Sequence, residues 1–119
     1  MTTQQIADKL VAYCRKGDWE NAQKELYADN AVSVEPEASP AFEKETNGLP
    51  AILAKGKKFD DMVDTMHSIK VSDPIVAGNS FACVLDMDAT MKGRGRMPMK
   101  ELCVYTVQDG KVIREEFIM

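Results

Sequence analysis

The sequence predicts an α+β fold in which three helices precede a four-stranded antiparallel sheet. Apolar residues recur every three or four positions through most of the first 66 residues, and after His67 the recurrence changes to every second position. Turns that contain glycine ("AGN", "KGRGR", "QDG") then separate stretches of alternating character. Helices grouped ahead of an antiparallel meander pack on one side of it.

Each element has a local reason. Thr2 or Thr3 caps a first helix over 3–16, where Ile6, Leu10, Val11, Tyr13 and Cys14 make the apolar stripe. Gly17 ends it, and Asp18 caps a second helix over 18–28 with Trp19, Ala22, Leu26 and Tyr27 facing inward. "YADN" reads as a turn. "AVSVEP" reads as a short strand closed by Pro36, which has no N–H to give to a ladder. Residues 36–48 form a polar loop, and loops of that length in small domains are often functional. A third helix over 48–66 carries Leu49, Ile52, Leu53, Phe59, Met62, Val63 and Met66 at helical spacing, with Gly56 permitting close packing or a bend. Strands are expected at 69–77, 80–91, 97–108 and 111–118.

The chain has 119 residues, 45% hydrophobic and 29% charged, which fits one soluble domain over 1–119. A net charge of −4 argues against a nucleic-acid partner. "MTTQQIADKL" lacks the basic-then-apolar pattern of a secretion signal, and no stretch approaches the ~18 apolar residues of a membrane span. Cys14, Cys83 and Cys103 are odd in number and far apart. They read as small buried hydrophobes in a reducing cytoplasm, not as a disulfide or metal site.

The stretch "KVIREEFIM" points to the site. Neighbouring residues of a strand face opposite ways, so Glu115 and Glu116 cannot both be in water if one face is core. Phe81, Cys83, Leu85, Met87, Ala89 and Met91 share one face of the second long strand and form its inner wall. Periodicity alone leaves the parity of the last two strands open. The aromatics favour Tyr105, Ile113 and Phe117 inside, which brings Met99, Glu101, Cys103 and Glu115 with them. A buried, unpaired carboxylate costs several kcal/mol unless it protonates or finds a partner. Two on one wall imply either a pocket or a wet rim where backbone amides, Tyr or Lys occupy them. The other face, with Val84, Leu102, Val104, Val112 and Ile118, is too apolar for water, and this implies a homodimer through the sheet's outer face.

"KGDWENAQKELYADNAVSVEP", "GLPAI" and "VYTVQDGKVIREEF", in that order and across nearly the whole chain, resemble the nuclear-transport-factor-2-like superfamily and, within it, SnoaL-like proteins. The resemblance implies a cone: a strongly curved antiparallel sheet, cystatin-like, wrapped around the helices. It also implies an apolar pocket at the open mouth and dimerisation through the outer sheet face. Ketosteroid isomerase and polyketide cyclases are members. Ketosteroid isomerase carries its proton-shuttling aspartate just before a proline, and Glu35 takes the matching place here. Its oxyanion-hole tyrosine and acid fall on Leu10 and Cys103, which cannot do that work, so steroid isomerisation is not implied. The same alignment supports an inward Cys103, and so Glu101 and Tyr105, and puts Glu115 on the pocket side.

The catalytic candidates are Glu35, His67, Glu101 and Glu115, and the expected ligand contacts are Phe59, Val63, Leu85, Met99, Cys103, Tyr105 and Phe117. His67, the only histidine, is expected at the pocket edge, on the apolar side of the third helix, where with Glu101 or Glu115 near it would serve as acid or base. No HxH or HxxxE spacing supports a metal. No cofactor is expected, since the "GRG" of residues 92–96 is not followed by GK[ST], and "GNS" carries no nucleophile elbow. The expected function is binding of a small apolar molecule with no assignable reaction. The alternative is isomerase- or cyclase-type proton transfer by the pocket carboxylates on a carbonyl-bearing ligand.

Overall fold

In the computed structural model, which describes residues 1–119, Thr2 closes a capping box at the head of α1 (Thr3–Arg15). Gln5 N donates to Thr2 Oγ1 at 3.1 Å, and Thr2 N donates to Gln5 Oε1 at 2.9 Å. Gly17 turns the chain at φ +71°, and Asp18 caps α2 (Trp19–Leu26) by accepting from Asn21 N at 3.3 Å. There follow β1 (Tyr27–Val34), β2 (Glu45–Asn47), α3 (Leu49–Met62), β3 (Val63–Val71), β4 (Ile75–Ala77), β5 (Ser80–Met91), β6 (Gly95–Gln108) and β7 (Lys111–Ile118).

Several boundaries differ from the sequence expectation. α2 stops at Leu26, and "YADN" opens β1 instead of turning, because Tyr27 is already extended and pairs with Val112. The 36–48 loop contains β2, a short strand on the edge of β1. α3 ends at Met62, four residues early, and Val63 and Met66 lie on β3 opposite Met91 and Ala89 of β5. The spacing of Met62, Val63 and Met66 suits either element over so short a run. The β-branched Val63 and Thr65 and the long partner β5 decide it for the sheet. The strand expected at 69–77 is divided into β3 and β4 by "SDP", where Pro74 cannot donate.

The sheet runs β2-β1-β7-β6-β5-β3, with β4 also on β5. Every pairing is antiparallel except β1 with β7, so the sheet is mixed and not wholly antiparallel. A parallel neighbour needs a long crossover, here the whole course from β2 to β6, and nothing local to either strand signals it. Pro98 sits where β6 has only β5 beside it, since pairing with β7 begins at Leu102.

The inner face of β5 is as expected: Phe81, Cys83, Leu85, Met87, Ala89 and Met91 are all buried. Opposite it, α1 contributes Ile6, Ala7, Leu10 and Val11, α2 contributes Ala22 and Leu26, and α3 contributes Ile52. The curved sheet thus covers three helices with one apolar face, the α+β arrangement the patterns require. One parity expectation fails. A β-bulge between Thr106 and Val107 shifts the register, so Val112 is inside and fully buried while Ile113 is only half-buried. Beyond the bulge the expected parity returns, with Glu115 inside and Glu116 out. No helix is long and apolar enough to cross a membrane.

Candidate functional site

Between the inner face of the sheet and the helices lies a cavity of about 300 Å³. Its sheet wall holds Leu85, Met87, Met99, Glu101, Cys103, Tyr105, Glu115 and Phe117. α1 adds Leu10 and Cys14, α2 adds Trp19, and α3 adds Lys55, Gly56 and Phe59. Glu35 enters from the end of β1, and Pro36 and Phe42 from the following loop. The lining is mostly apolar with a few convergent polar groups, as small-molecule sites usually are.

Nine of the eleven sequence candidates meet here: Glu35, Glu101, Glu115, Phe59, Leu85, Met99, Cys103, Tyr105 and Phe117. Val63 and His67 do not. Because α3 ends early, both ride on β3. Val63 borders a separate recess with Trp19, Met66 and Ile69. His67 is exposed, with Nε2 2.7 Å from Thr90 Oγ1 on the neighbouring strand. A strand residue facing water at that position cannot reach the cavity, so the expected place of His67 at the pocket edge is corrected.

Three polar residues of the site were not singled out from sequence. Lys55 extends from α3 on the face that carries Ile52 and Phe59, a signal available in its i+3 and i+4 spacing. Ser33 alternates with Ala31 and Glu35, and this already places it on the inner face of β1. The helical pattern turns Tyr27 inward, and the structure places it inside as the first residue of β1. Together they surround Glu115. The Tyr27 hydroxyl donates to Glu115 Oε1, and Ser33 Oγ donates to Glu115 Oε2 at 2.5 Å. Lys55 Nζ donates to Ser33 Oγ at 2.6 Å, lies 3.6 Å from Glu35 Oε2, and stands 5.6 Å from the centre of the Phe117 ring.

The electrostatics divide the carboxylates. Glu115 is only 3% exposed, and burial pushes its pKa up while the Ser33 and Tyr27 hydrogen bonds and the Lys55 charge pull it back. Glu101 has no such donors, and burial, then the nearby Glu35 and Glu115, raise it to about 7, with Lys55 opposing. Glu101 therefore exchanges its proton near neutrality. Burial, reinforced by Glu115, raises Tyr27 well above the usual phenol range. Tyr105 is also raised, first by burial; its ring stacks on Phe81 with centroids 4.8 Å apart. Burial lifts the Cys14 thiol to about 12, and Cys103 is raised by its contact with Cys83 across the ladder and by burial. Cys14 and Cys103 are thus apolar lining, not nucleophiles. The site can thus hold an apolar body, offer a proton from Glu101, accept a hydrogen bond at Glu35 and place a cation, Lys55, beside them.

A family profile described as a SnoaL-like domain matches residues 1–119. The chain belongs to the SnoaL-like domain family. A protein from Mesorhizobium loti, provisionally named a SnoaL-like polyketide cyclase, is 30% identical to this SnoaL-like domain, with all of both chains covered and a TM-score of 0.92. Two more distant structures share the fold alone. One, from Xanthomonas campestris, is described as a protein of unknown function with a cystatin-like fold; it is 16% identical, with 99% of this chain and 90% of that chain covered and a TM-score of 0.83. The other, from Catenulispora acidiphila, is described as having a ketosteroid isomerase-like fold in complex with trimethylamine; it is 14% identical, with 99% and 87% covered and a TM-score of 0.74. Among curated proteins, none matches this SnoaL-like domain.

Proposed function

We propose that this SnoaL-like domain binds a small, largely apolar molecule bearing oxygen functions, held in the cavity between helices and sheet. The observation that carries the reading is the convergence of Glu35, Lys55 and Glu101 on one largely apolar cavity. Trp19 is the only tryptophan and lines the cavity, so its emission reports occupancy. Naphthalene should quench or shift that emission saturably. Gly56 offers a blocking variant, since a Cβ there meets only Gln23 Oε1, at 3.8 Å. Gly56→Leu should fill the cavity, favour the helix, and weaken naphthalene at least about tenfold. Unchanged affinity would place the binding elsewhere.

Proton transfer is the second reading, and the position of Glu101 near neutrality favours it. In that reading Glu101 protonates a ligand carbonyl while Glu35 removes a proton, the division of labour of an isomerase or cyclase. Glu115 supports the wall and takes no proton from ligand, because both its oxygens already accept hydrogen bonds. Solvent deuterium exchange into a bound ketone, lost in Glu101→Gln, is the measurement that separates catalysis from binding. We further propose that two copies pair through the outer sheet face, where Val84, Leu102 and Ile118 form one exposed apolar row across three strands.

A further inference from the structure

Glu35 Oε2 is the one buried side-chain polar atom in the chain without a hydrogen-bond partner. Native structures rarely tolerate such an atom, and it lies in the wall of the cavity. Its nearest cation, Lys55 Nζ, is 3.6 Å away, well beyond the ~2.7–2.9 Å of a charge-assisted hydrogen bond. Lys55 spends one of its donors on Ser33 Oγ, at 2.6 Å, which leaves others for the cavity. An acceptor and a donor therefore face the same space with a gap between them.

Ligand groups fit this gap unequally. An oxygen about 2.8 Å from both atoms closes a triangle on the 3.6 Å base. A carbonyl or ether oxygen there accepts from Lys55 and leaves Glu35 unpaired. A carboxylate sets a second anion against Glu35, with Glu101 also close by. An ammonium satisfies Glu35 and meets Lys55 as a like charge. Of these groups only a hydroxyl does both jobs, donating to Glu35 Oε2 and accepting from Lys55 Nζ. A phenol or enol suits the pair best, because its proton is the more acidic and its oxygen gains charge as Glu35 draws on the proton. The walls from Phe42, Phe59 and Phe117 suit a flat body. At an interior packing density of ~0.74, about 300 Å³ holds roughly 220 Å³ of ligand, which leaves ample room for a two-ring aromatic body.

We propose that the ligand is a small aromatic or enolic molecule whose hydroxyl bridges Glu35 Oε2 and Lys55 Nζ. This rests on the reading of the cavity as a ligand site. The test is calorimetric titration with 2-naphthol and with 2-methoxynaphthalene, which keeps the acceptor and loses the donor. An acceptor left unpaired costs enough that 2-naphthol should bind at least about tenfold more tightly. In Glu35→Met that ratio should fall to within about twofold. Equal affinities in the native protein would overturn the hydroxyl bridge while leaving the cavity reading intact, and this comparison stands even if the variant fails to fold. Retention of the tenfold preference in Glu35→Met would also overturn it. If neither compound binds, the cavity reading falls and the bridge falls with it.

Discussion

Tyr27 and Glu115, 88 residues apart in the chain, share a buried hydrogen bond in which the tyrosine hydroxyl donates to Oε1 of the carboxylate. Tyr27 opens β1 and Glu115 lies on β7, so the bond ties together the one parallel pair of the sheet. Ser33, directly opposite Glu115 in that register, holds the other oxygen. A carboxylate with a donor on each oxygen is a fixture of the wall. The groups left to face a ligand are Glu35, Glu101 and Lys55.

Removing the Tyr27 hydroxyl tests that assignment. Tyr27→Phe keeps the ring and strips one donor from a buried carboxylate, so it should destabilise the fold by about 1–3 kcal/mol. It should also push Glu115 further up, since the lost bond is one of those restraining it. Urea unfolding gives the first number. A loss under about 0.3 kcal/mol, within ordinary surface-substitution scatter, would mean the bond is not the tie described.

Glu101 sets a pH dependence of definite sign. Its folded pKa, about 7, lies above that of a free glutamate. The folded state therefore holds the proton more tightly than the unfolded chain. That contribution to stability is complete below about pH 4.5, falls as pH rises toward 7, and is gone above it. Unfolding free energy should thus decline across this window in the native protein. Glu101→Gln should flatten the decline. A slope unchanged in the variant would assign the effect to another group.

How much of this was legible in the sequence depends on the range of each interaction. The β5 wall is legible because strand alternation is local and strong over twelve residues, whereas the inward Glu115 takes its parity from the aromatics of the last two strands and from the family resemblance. Val112 was misplaced because a bulge, set by pairing with β6, shifts the phase within β7. The parallel β1–β7 pairing left no local trace. It alone brings Ser33 and Tyr27 to Glu115, so the hydrogen-bonded core of the site was hidden while its carboxylates were not. His67 leaves the cavity for another reason: its run fits both periods, and the β5 ladder draws it into the sheet.

Lys55 is the counter-charge that the sequence reading lacked, and it opposes the upward shift of both Glu101 and Glu115. Lys55→Met keeps most of the side chain's bulk and removes the charge. The Glu101 titration, followed by carboxyl carbon NMR, should move above about 7. A midpoint that stays put or falls would show that Lys55 does not act on Glu101. Because the lysine also hydrogen-bonds Ser33, the Ser33→Ala variant serves as control: it leaves the cation in place and should leave Glu101 near its native midpoint.

The outer face yields the last prediction. Val84 pairs with Leu102, and Leu102 with Ile118, so the three side chains lie in one line across β5, β6 and β7. They are 37%, 39% and 46% exposed, with Val104 half-buried beside them. Isolated exposed apolar residues are ordinary, and the proposed pairing rests on these three standing in one contiguous row on a sheet face that no helix covers. The row is short, and a second copy turned by a two-fold axis sets Leu102 against or beside its own equivalent. Sedimentation equilibrium at micromolar concentration should therefore give about twice the 13.2 kDa of the chain. Leu102→Glu, which puts a charge at the centre of the row, should return it to one. The inner wall would be untouched, so 2-naphthol affinity in Leu102→Glu should match the native protein within about twofold. A native protein that sediments as a monomer would leave the row without this partner, and a Leu102→Glu dimer would put the interface on some other face.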